Sequence, residues 1–541
     1  MNGGGDEERR DQLWQRLQSD EKWDAVIVGG GIVGAAILRE AVRFGLKVLL
    51  LEQRDFAWGT SSRSSKMVHG GLRYVASGHF KIARDSVRER QRLLKQVPGL
   101  VEPLKYLFAD RKGKFPGRRS FTALLMIYDL FARRMDHRFL NRNQLAFQAP
   151  QWQQDGLKGA CQYTDAATDD ARLVLRVLQE AVAAGGQVMN YCSVQSLLQE
   201  DNGHEAKQAV GVVARNILND ETASISAGVV INATGVWTDQ LRQLLAAEST
   251  VRPLRGSHLV FPAWKLPVLQ SVTLMHPEDK RPVFIFPWEG STIVGTTDLD
   301  HEQDLSVEPS ISRQEVDYLF AVLDSEFPSV GLKESDVIST YAGVRSVIGT
   351  GRLNPSSEKR EHCIWNDNGL VSVAGGKLTT FRLIAQDVLE AASTYLPALK
   401  DVKSDAPVFD SVNGSTSLRL LLGADQCRRL IGRYGREIVP WIESAEQGEL
   451  ELIPGTHTLW TELKWAAARE RVVHLDDLLL RRTRIGLLVK QGASEHLPRI
   501  KELCQSLLDW DDSRWQEEVE RYNKLWQSYY SLPVAAEGAS L

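Results

Sequence analysis

The chain has 541 residues, too many for a single hydrophobic core, so two or three domains are expected. Its apolar content of 43% and charged content of 25% are ordinary for a water-soluble globular protein, and a net charge of −4 gives no whole-protein attraction to nucleic acid. Five widely spaced cysteines (Cys161, Cys192, Cys363, Cys427, Cys504) form no C-x-x-C pair, which argues against a disulfide framework or a metal site and suits a reducing compartment.

The first twenty residues are polar and lack an apolar h-region. They read as a disordered or loosely helical extension (1–22) rather than a secretory signal. No run of about 18 apolar residues follows, so no transmembrane helix is expected. Lys22 to Glu52 then forms a strand–helix–strand unit. Asp24 to Val28 is an apolar strand, Gly29, Gly31 and Gly34 stand in G-x-G-x-x-G spacing, a helix runs to Phe44, and Lys47 to Leu51 is a second strand ending at Glu52. Gly29 permits the tight turn, Gly31 lets backbone approach a pyrophosphate, and Gly34 lets helix pack on strand. The helix N-terminus offers N–H groups to phosphates, and Glu52 can accept ribose hydroxyls. The unit predicts a bound dinucleotide.

Residues 55–74, DFAWGTSSRSSKMVHGGLRY, are rich in Ser and Gly and carry Arg63, Lys66, His69, Arg73 and Tyr74. Small residues allow close approach to a flat ring, and cations can steer an anion. Pro103 to Arg142 holds ten lysines and arginines against three aspartates and encloses the apolar run Phe121 to Phe131. That pattern reads either as a patch for anionic lipid or as a solvated basic face. Val229 to Gly235 (VVINATG) is a second strand with a glycine turn. Arg255 to Asp298 reads as short, largely antiparallel strands, and Leu370 to Leu383 (LVSVAGGKLTTFRL) is a third strand–turn–helix signal.

Three such signals so far apart predict one discontinuous nucleotide-binding domain (about 23–100, 160–250 and 340–400) with a second domain inserted (about 101–159 and 251–339). A polar linker (401–417) and a helical C-terminal domain (418–541) follow.

Taken together, GGGIVG, LLLEQRDFAWGTSSRSSKMVHGGLRY, TDAATDDARLVL, VVINATGVWTD, RGSHLVF, FIFPWEGSTIVGTTD, YAGVRSVIGTG, VAGGKLTTFR and LDDLLLRRTRIG resemble the FAD-dependent, quinone-linked glycerol-3-phosphate dehydrogenases over nearly the whole chain. One departure is Leu38, where that family commonly has a small residue. The resemblance implies an α/β fold: a glutathione-reductase-type, Rossmann-like FAD domain, an inserted mixed-sheet substrate domain and a helical C-terminal domain. It implies that sn-glycerol 3-phosphate loses a hydride from C2 to flavin N5, giving dihydroxyacetone phosphate, with electrons passed to a membrane quinone. A cytoplasmic protein peripheral to the inner face of the membrane, and a homodimer, are family-level expectations.

By the same resemblance, Arg345 and Arg360 are placed on the substrate phosphate, where a planar guanidinium binds bidentately. Arg73 and Tyr74 are placed on the substrate side of the flavin, and Lys377 at the phosphate or the flavin N1–C2 edge. His258 is the first candidate for the base that takes the C2 hydroxyl proton, and His69 the alternative, with flavin contact as its other role. FAD is expected to be non-covalent. Gly29, Gly31, Gly34 and Glu52 would hold its ADP half. Ser61, Ser62, Ser65 and Lys66 would line the pyrophosphate and ring, and Gly235, Gly376, Leu378 and Thr379 the isoalloxazine end. Two rival chemistries stay open: an oxidase delivering electrons to oxygen, and an amino-acid or amine oxidase.

Overall fold

The structure is a computed structural model that describes residues 6–201, 207–349, 361–396, 399, 401–411 and 416–533. Trp23–Val28 and Val48–Leu51 pair in parallel at the centre of the first sheet. Thr222–Asn232 pairs in parallel on the other side of the first strand, and Leu370–Ala374 beyond it. Both faces of these strands are covered, which is why they read as continuous apolar runs. Alternate residues serve the two faces. Ala25, Ile27, Val48 and Leu50 meet helices Ile32–Val42, Asp170–Ala183 and Phe381–Ala392. Val26, Val28, Leu49 and Leu51 meet the strands of residues 208–232 and an N-terminal helix.

That helix, Asp6–Leu17, falls in the stretch read as a disordered or loosely helical extension; it is helical, and it packs on the sheet. Leu13, Trp14 and Leu17 are buried against the sheet, and the Arg10 guanidinium donates to the Asn190 carbonyl at 2.7 Å and to Asn216 Oδ1 at 3.1 Å. Leu38 is accommodated because its side chain reaches toward Gly186, where an added Cβ would lie 3.2 Å from Leu38 Cδ1.

The second sheet is mostly antiparallel, with one parallel pair between Val101–Arg111 and Ser271–Met275. Its boundaries differ from the sequence expectation. Leu157–Thr168 and Ser339–Ile348, both assigned in large part to the nucleotide domain, are strands of this sheet. Ser339–Ile348 pairs with Val251–Pro262 over ten residues, and this long-range pairing fixes its place.

The C-terminal region is helical, including Ala424–Tyr434, Trp460–Arg469, Leu497–Cys504 and Asp512–Tyr529. It is not loosely tethered. Leu478, Leu487 and Trp526 share one apolar core with Met67, Val260, Phe286 and Tyr341. Beside this core, Asp55 accepts from Arg482 at 2.6 and 2.7 Å and from Arg481, and all three side chains are buried. No described helix is long and apolar enough to cross a membrane, and none of the five cysteines is disulfide-bonded.

Candidate active site

The glycine turn is built by close contacts. Gly29 has φ +111°, and a Cβ there would lie 2.6 Å from the Ala233 carbonyl oxygen, so the VVINATG turn abuts the first turn directly. A Cβ on Gly34 would lie 1.9 Å from the Gly29 carbonyl oxygen, which only a glycine allows. Ser61 Oγ accepts the Ile32 N–H at 3.0 Å, at the helix N-terminus and beside Gly31. Glu52 accepts the Gly30 N–H at 2.7 Å and the Arg54 N–H at 2.9 Å, which orients its carboxylate at the mouth of the turn. Burial raises its pKa, an effect these backbone donors oppose. Gly235, with φ +65°, has open space where a Cβ would be. Gly29, Gly31, Gly34, Ser61, Glu52 and Gly235 therefore form a cradle of turn glycines, helix N-terminus and carboxylate. These residues fit a bound FAD.

The following loop is anchored from below. Ser62 is buried, its hydroxyl facing its own turn. Lys66 departs from the expected role. Its ammonium is fully buried, 2.8 Å from Asp170 Oδ1 and 3.0 Å from the Ser62 carbonyl oxygen, so it braces the loop instead of pointing to a cofactor. Burial and the neighbouring Arg484 lower its pKa to about 8.

Above the loop, Val251–Pro262 and Ser339–Ile348 run side by side with His258 opposite Tyr341 and Gly256 opposite Gly343. Cross-strand partners share a face, so His258, Tyr341 and Arg345 lie on one side, with the two glycines between imidazole and guanidinium. The His258 ring stacks on Tyr341 with centroids 4.5 Å apart, and its Nε2 lies 2.9 Å from Ser65 Oγ. A Cβ on Gly295 would come 2.2 Å from His258 Cδ2, so the ring is gripped from the third strand as well. Burial, then Arg345 and Lys66, push the His258 pKa well below its ordinary value, leaving the imidazole neutral. Arg345 is held by Thr296 Oγ1 at 3.3 Å and by Asp298 at 3.5 Å, with part of its side chain open to solvent.

The GGLRY and GGK segments meet. Thr379 Oγ1 accepts the His69 N–H and donates to the His69 carbonyl oxygen, both at 3.1 Å. Lys377 Nζ stands 3.5 Å from the Tyr74 ring centroid, a cation–π contact, and 3.4 Å from Ser86 Oγ. Gly71, at φ +73°, lies beneath both groups. Gly375 donates to Ser346 Oγ at 3.3 Å, which ties the GGK turn to the strand carrying Arg345. Gly376 has φ +85°, and Leu378 follows it at the start of a short helical turn. Arg73 is exposed on the helix Leu72–Ala76. Arg360 lies outside the described residues.

The structure thus brings together His258, Ser65 and Arg345 in one group and Tyr74, His69, Lys377 and Thr379 in another, with the Gly375–Ser346 hydrogen bond linking the two segments. Tyr341, Thr296, Asp298 and Asp170 were not singled out from sequence. All four stood inside quoted motifs, but nothing local marks a buried hub.

Residues 24–385 match the family described as FAD dependent oxidoreductase, and residues 404–515 match the C-terminal domain of alpha-glycerophosphate oxidase. Glycerol-3-phosphate dehydrogenase 2 of Mycobacterium tuberculosis is 32% identical over 534 residues, spanning 95% of this chain and 89% of its own. Aerobic glycerol-3-phosphate dehydrogenase of Staphylococcus aureus is 30% identical over 559 residues, spanning 98% and 99%. The crystal structure of glycerol-3-phosphate dehydrogenase from Bacillus halodurans, complexed with FAD, is similar with a TM-score of 0.76 at 28% identity, covering 96% of this chain and 97% of that one. L-alpha-glycerophosphate oxidase from Mycoplasma pneumoniae, at 19% identity and a TM-score of 0.56, shares the fold. The mixed α/β architecture with its helical C-terminal domain, the glycine cradle and the similarity along nearly the whole chain agree: this chain belongs to the FAD-dependent oxidoreductases, within the family of the glycerol-3-phosphate dehydrogenases.

Proposed function

We propose that the chain oxidises sn-glycerol 3-phosphate at C2 to dihydroxyacetone phosphate and passes the electrons to a membrane quinone. The observation that carries this reading is the strand pair presenting a buried, neutral His258 and the Arg345 guanidinium on one face, beside the FAD cradle. Bound FAD supplies the acceptor for the hydride that leaves C2. Arg345 binds the substrate phosphate, and Lys377 adds a second cation at the phosphate or flavin edge. Arg73 and Tyr74 border the same site. His258 accepts the C2 hydroxyl proton on Nε2, the ring edge that Ser65 holds. A phosphate dianion calls for several cations, whereas an amino-acid substrate needs one for its carboxylate, so the amine-oxidase reading is the weaker.

Replacing His258 with Asn is expected to lower turnover by about 10²–10⁴-fold while FAD stays bound. Because burial, Arg345 and Lys66 lower the His258 pKa, wild-type turnover should persist to lower pH than a free imidazole base would allow. Near-normal turnover in His258→Asn across pH would remove this residue from the mechanism.

The acceptor is read from the surface. Helix Arg118–Ala132 buries Phe121, Leu125 and Tyr128 on one face, and the Tyr128 hydroxyl accepts the Gly70 N–H at 2.9 Å. Its region exposes Met126, Leu130, Met135, Phe115 and Phe147 among Arg118, Arg119, Arg133, Arg134 and Arg142. An apolar, basic face backing directly onto the GGLRY turn suits an anionic membrane surface that delivers quinone. Each cation near such a surface contributes about 1 kcal/mol, so replacing Arg133 and Arg134 with Glu should weaken sedimentation with anionic vesicles by about 30-fold or more at low salt. Unchanged sedimentation would count against the face. Assay with a quinone analogue and with oxygen tests the acceptor. One quinone reduced per dihydroxyacetone phosphate formed, with little peroxide, supports the dehydrogenase, and stoichiometric peroxide with no quinone reduction makes the chain an oxidase.

A further inference from the structure

A buried ionic cluster lies directly beneath the loop that reaches His258, and part of it comes from the C-terminal helical region. Asp170 accepts the Ser64 N–H at 2.9 Å, the Ser64 hydroxyl at 2.7 Å, the Lys66 ammonium at 2.8 Å and Arg484 Nη2 at 3.1 Å. Ser64 and Lys66 flank Ser65, so Asp170 clamps the chain on both sides of the residue that contacts His258 Nε2. Arg484 Nη2 also donates to the Ser62 carbonyl oxygen at 2.6 Å, and its Nη1 to the Leu480 carbonyl oxygen at 2.8 Å. Tyr341, stacked on His258, donates its hydroxyl to the Ser64 carbonyl oxygen at 3.2 Å. Arg484 adopts φ +65°, a left-handed conformation that a non-glycine residue disfavours, and is 1% exposed. It lies more than 300 positions from the loop it holds.

We propose that Arg484 is a positioning residue of the oxidation site: through Asp170 and the Ser62 carbonyl it fixes the Ser62–Lys66 loop, and through Ser65 it sets the hydrogen bond to His258. The proposal rests on the reading of His258 as the base. It gives the C-terminal region a part in the chemistry, because the planar fork of arginine reaches carbonyl and carboxylate together. The groups facing His258 are Ser65 and Lys66 from the loop and Tyr341 and Arg345 from the neighbouring strand. Loosening the loop admits water to the ring, relieves the burial that depresses its pKa, and moves its protonation toward higher pH.

The test uses the FAD-loaded full chain as wild type, Arg484→Met, Arg484→Lys and Ser65→Ala. Two quantities are read in each: the pH dependence of anaerobic flavin reduction by glycerol 3-phosphate, and the nitrogen NMR signal of His258 in histidine-labelled protein, assigned by its loss in His258→Asn. Arg484→Met and Ser65→Ala are expected to move the acid limb of the rate profile to higher pH, slow reduction on that limb by about tenfold or more, and move the His258 titration in step. Arg484→Lys should fall between them and wild type. If Arg484→Met does not fold, Arg484→Lys decides by the same two readouts. Folded Arg484 variants with the wild-type profile and the wild-type His258 titration overturn the proposal. A wild-type flavin that glycerol 3-phosphate fails to reduce overturns the proposed function instead, and the NMR comparison then decides the positioning role alone.

Discussion

Replacing Asp55 with Ala should destabilise the protein by about 3–5 kcal/mol, the cost of leaving buried charge without its partner. Asp55 is fully buried and is bound by Arg482 through Nη1 and Nη2 and by Arg481 through Nε. Arg481 has other carboxylates, Asp476 and Asp477, whereas among the described residues Asp55 is the carboxylate hydrogen-bonded to Arg482, which otherwise donates to the Glu470 and Arg471 carbonyls. The loss therefore falls mainly on Arg482, and Arg482→Met should cost less than Asp55→Ala because Arg481 still faces the carboxylate. Asp55 also accepts Asn190 Nδ2 at 3.2 Å, and Asn190 is held by Arg10 of the N-terminal helix. One carboxylate thus joins the N-terminal helix and the C-terminal helical region to the segment that starts at Glu52. Burial alone would raise the Asp55 pKa, but Arg482 and Arg481 outweigh it and hold the carboxyl below its ordinary range. Its contribution is complete above the ordinary carboxylate range and is lost as pH falls through the lowered folded value. Denaturant unfolding followed by flavin fluorescence measures the effect, and a variant with the wild-type midpoint would contradict the account.

Replacing Arg345 with Ala should lower kcat/KM for glycerol 3-phosphate by about 10²–10⁴-fold. Two hydrogen bonds to a charged group, at about 1.5–3 kcal/mol each, set that range. Arg345→Lys keeps the charge but loses the fork and should recover only part of it. The guanidinium is held in place by Thr296 and Asp298, not by the glycine cradle, so FAD content should be unchanged. Removing Arg345 also takes a positive charge away from His258, so the acid limb of the variant's rate profile should move to higher pH. Steady-state kinetics across pH, with flavin absorbance as the control, reads both effects. A variant with unaltered KM and kcat would place the phosphate elsewhere.

What the sequence made legible is what local chemistry dictates. The glycine turn, Glu52 after the second strand and the Gly375–Gly376 turn each follow from a backbone requirement written in adjacent residues. His258 could be named, but its grip could not, since Ser65, Tyr341 and Gly295 come from three distant segments. Lys66 shows the limit from the other side. A lysine in a Ser-rich loop looks like an anion contact, and only the arrival of Asp170 beneath it turns the ammonium inward. The docking of the N-terminal helix was illegible for the same reason: its partners, Asn190 and Asn216, lie about 200 residues on. Strand Ser339–Ile348 reads from sequence into the nucleotide-binding domain, and only its ten-residue pairing with Val251–Pro262 puts it in the second sheet.

The FAD cradle and the His258–Arg345 face are proposed to act together on one phosphorylated polyol. Anaerobic mixing of the purified yellow protein with sn-glycerol 3-phosphate tests it most directly. The account predicts rapid bleaching of the flavin with one dihydroxyacetone phosphate formed per flavin, little bleaching with unphosphorylated glycerol, and slow bleaching in Arg345→Ala. A flavin that stays oxidised with glycerol 3-phosphate, or that glycerol bleaches equally fast, would contradict it.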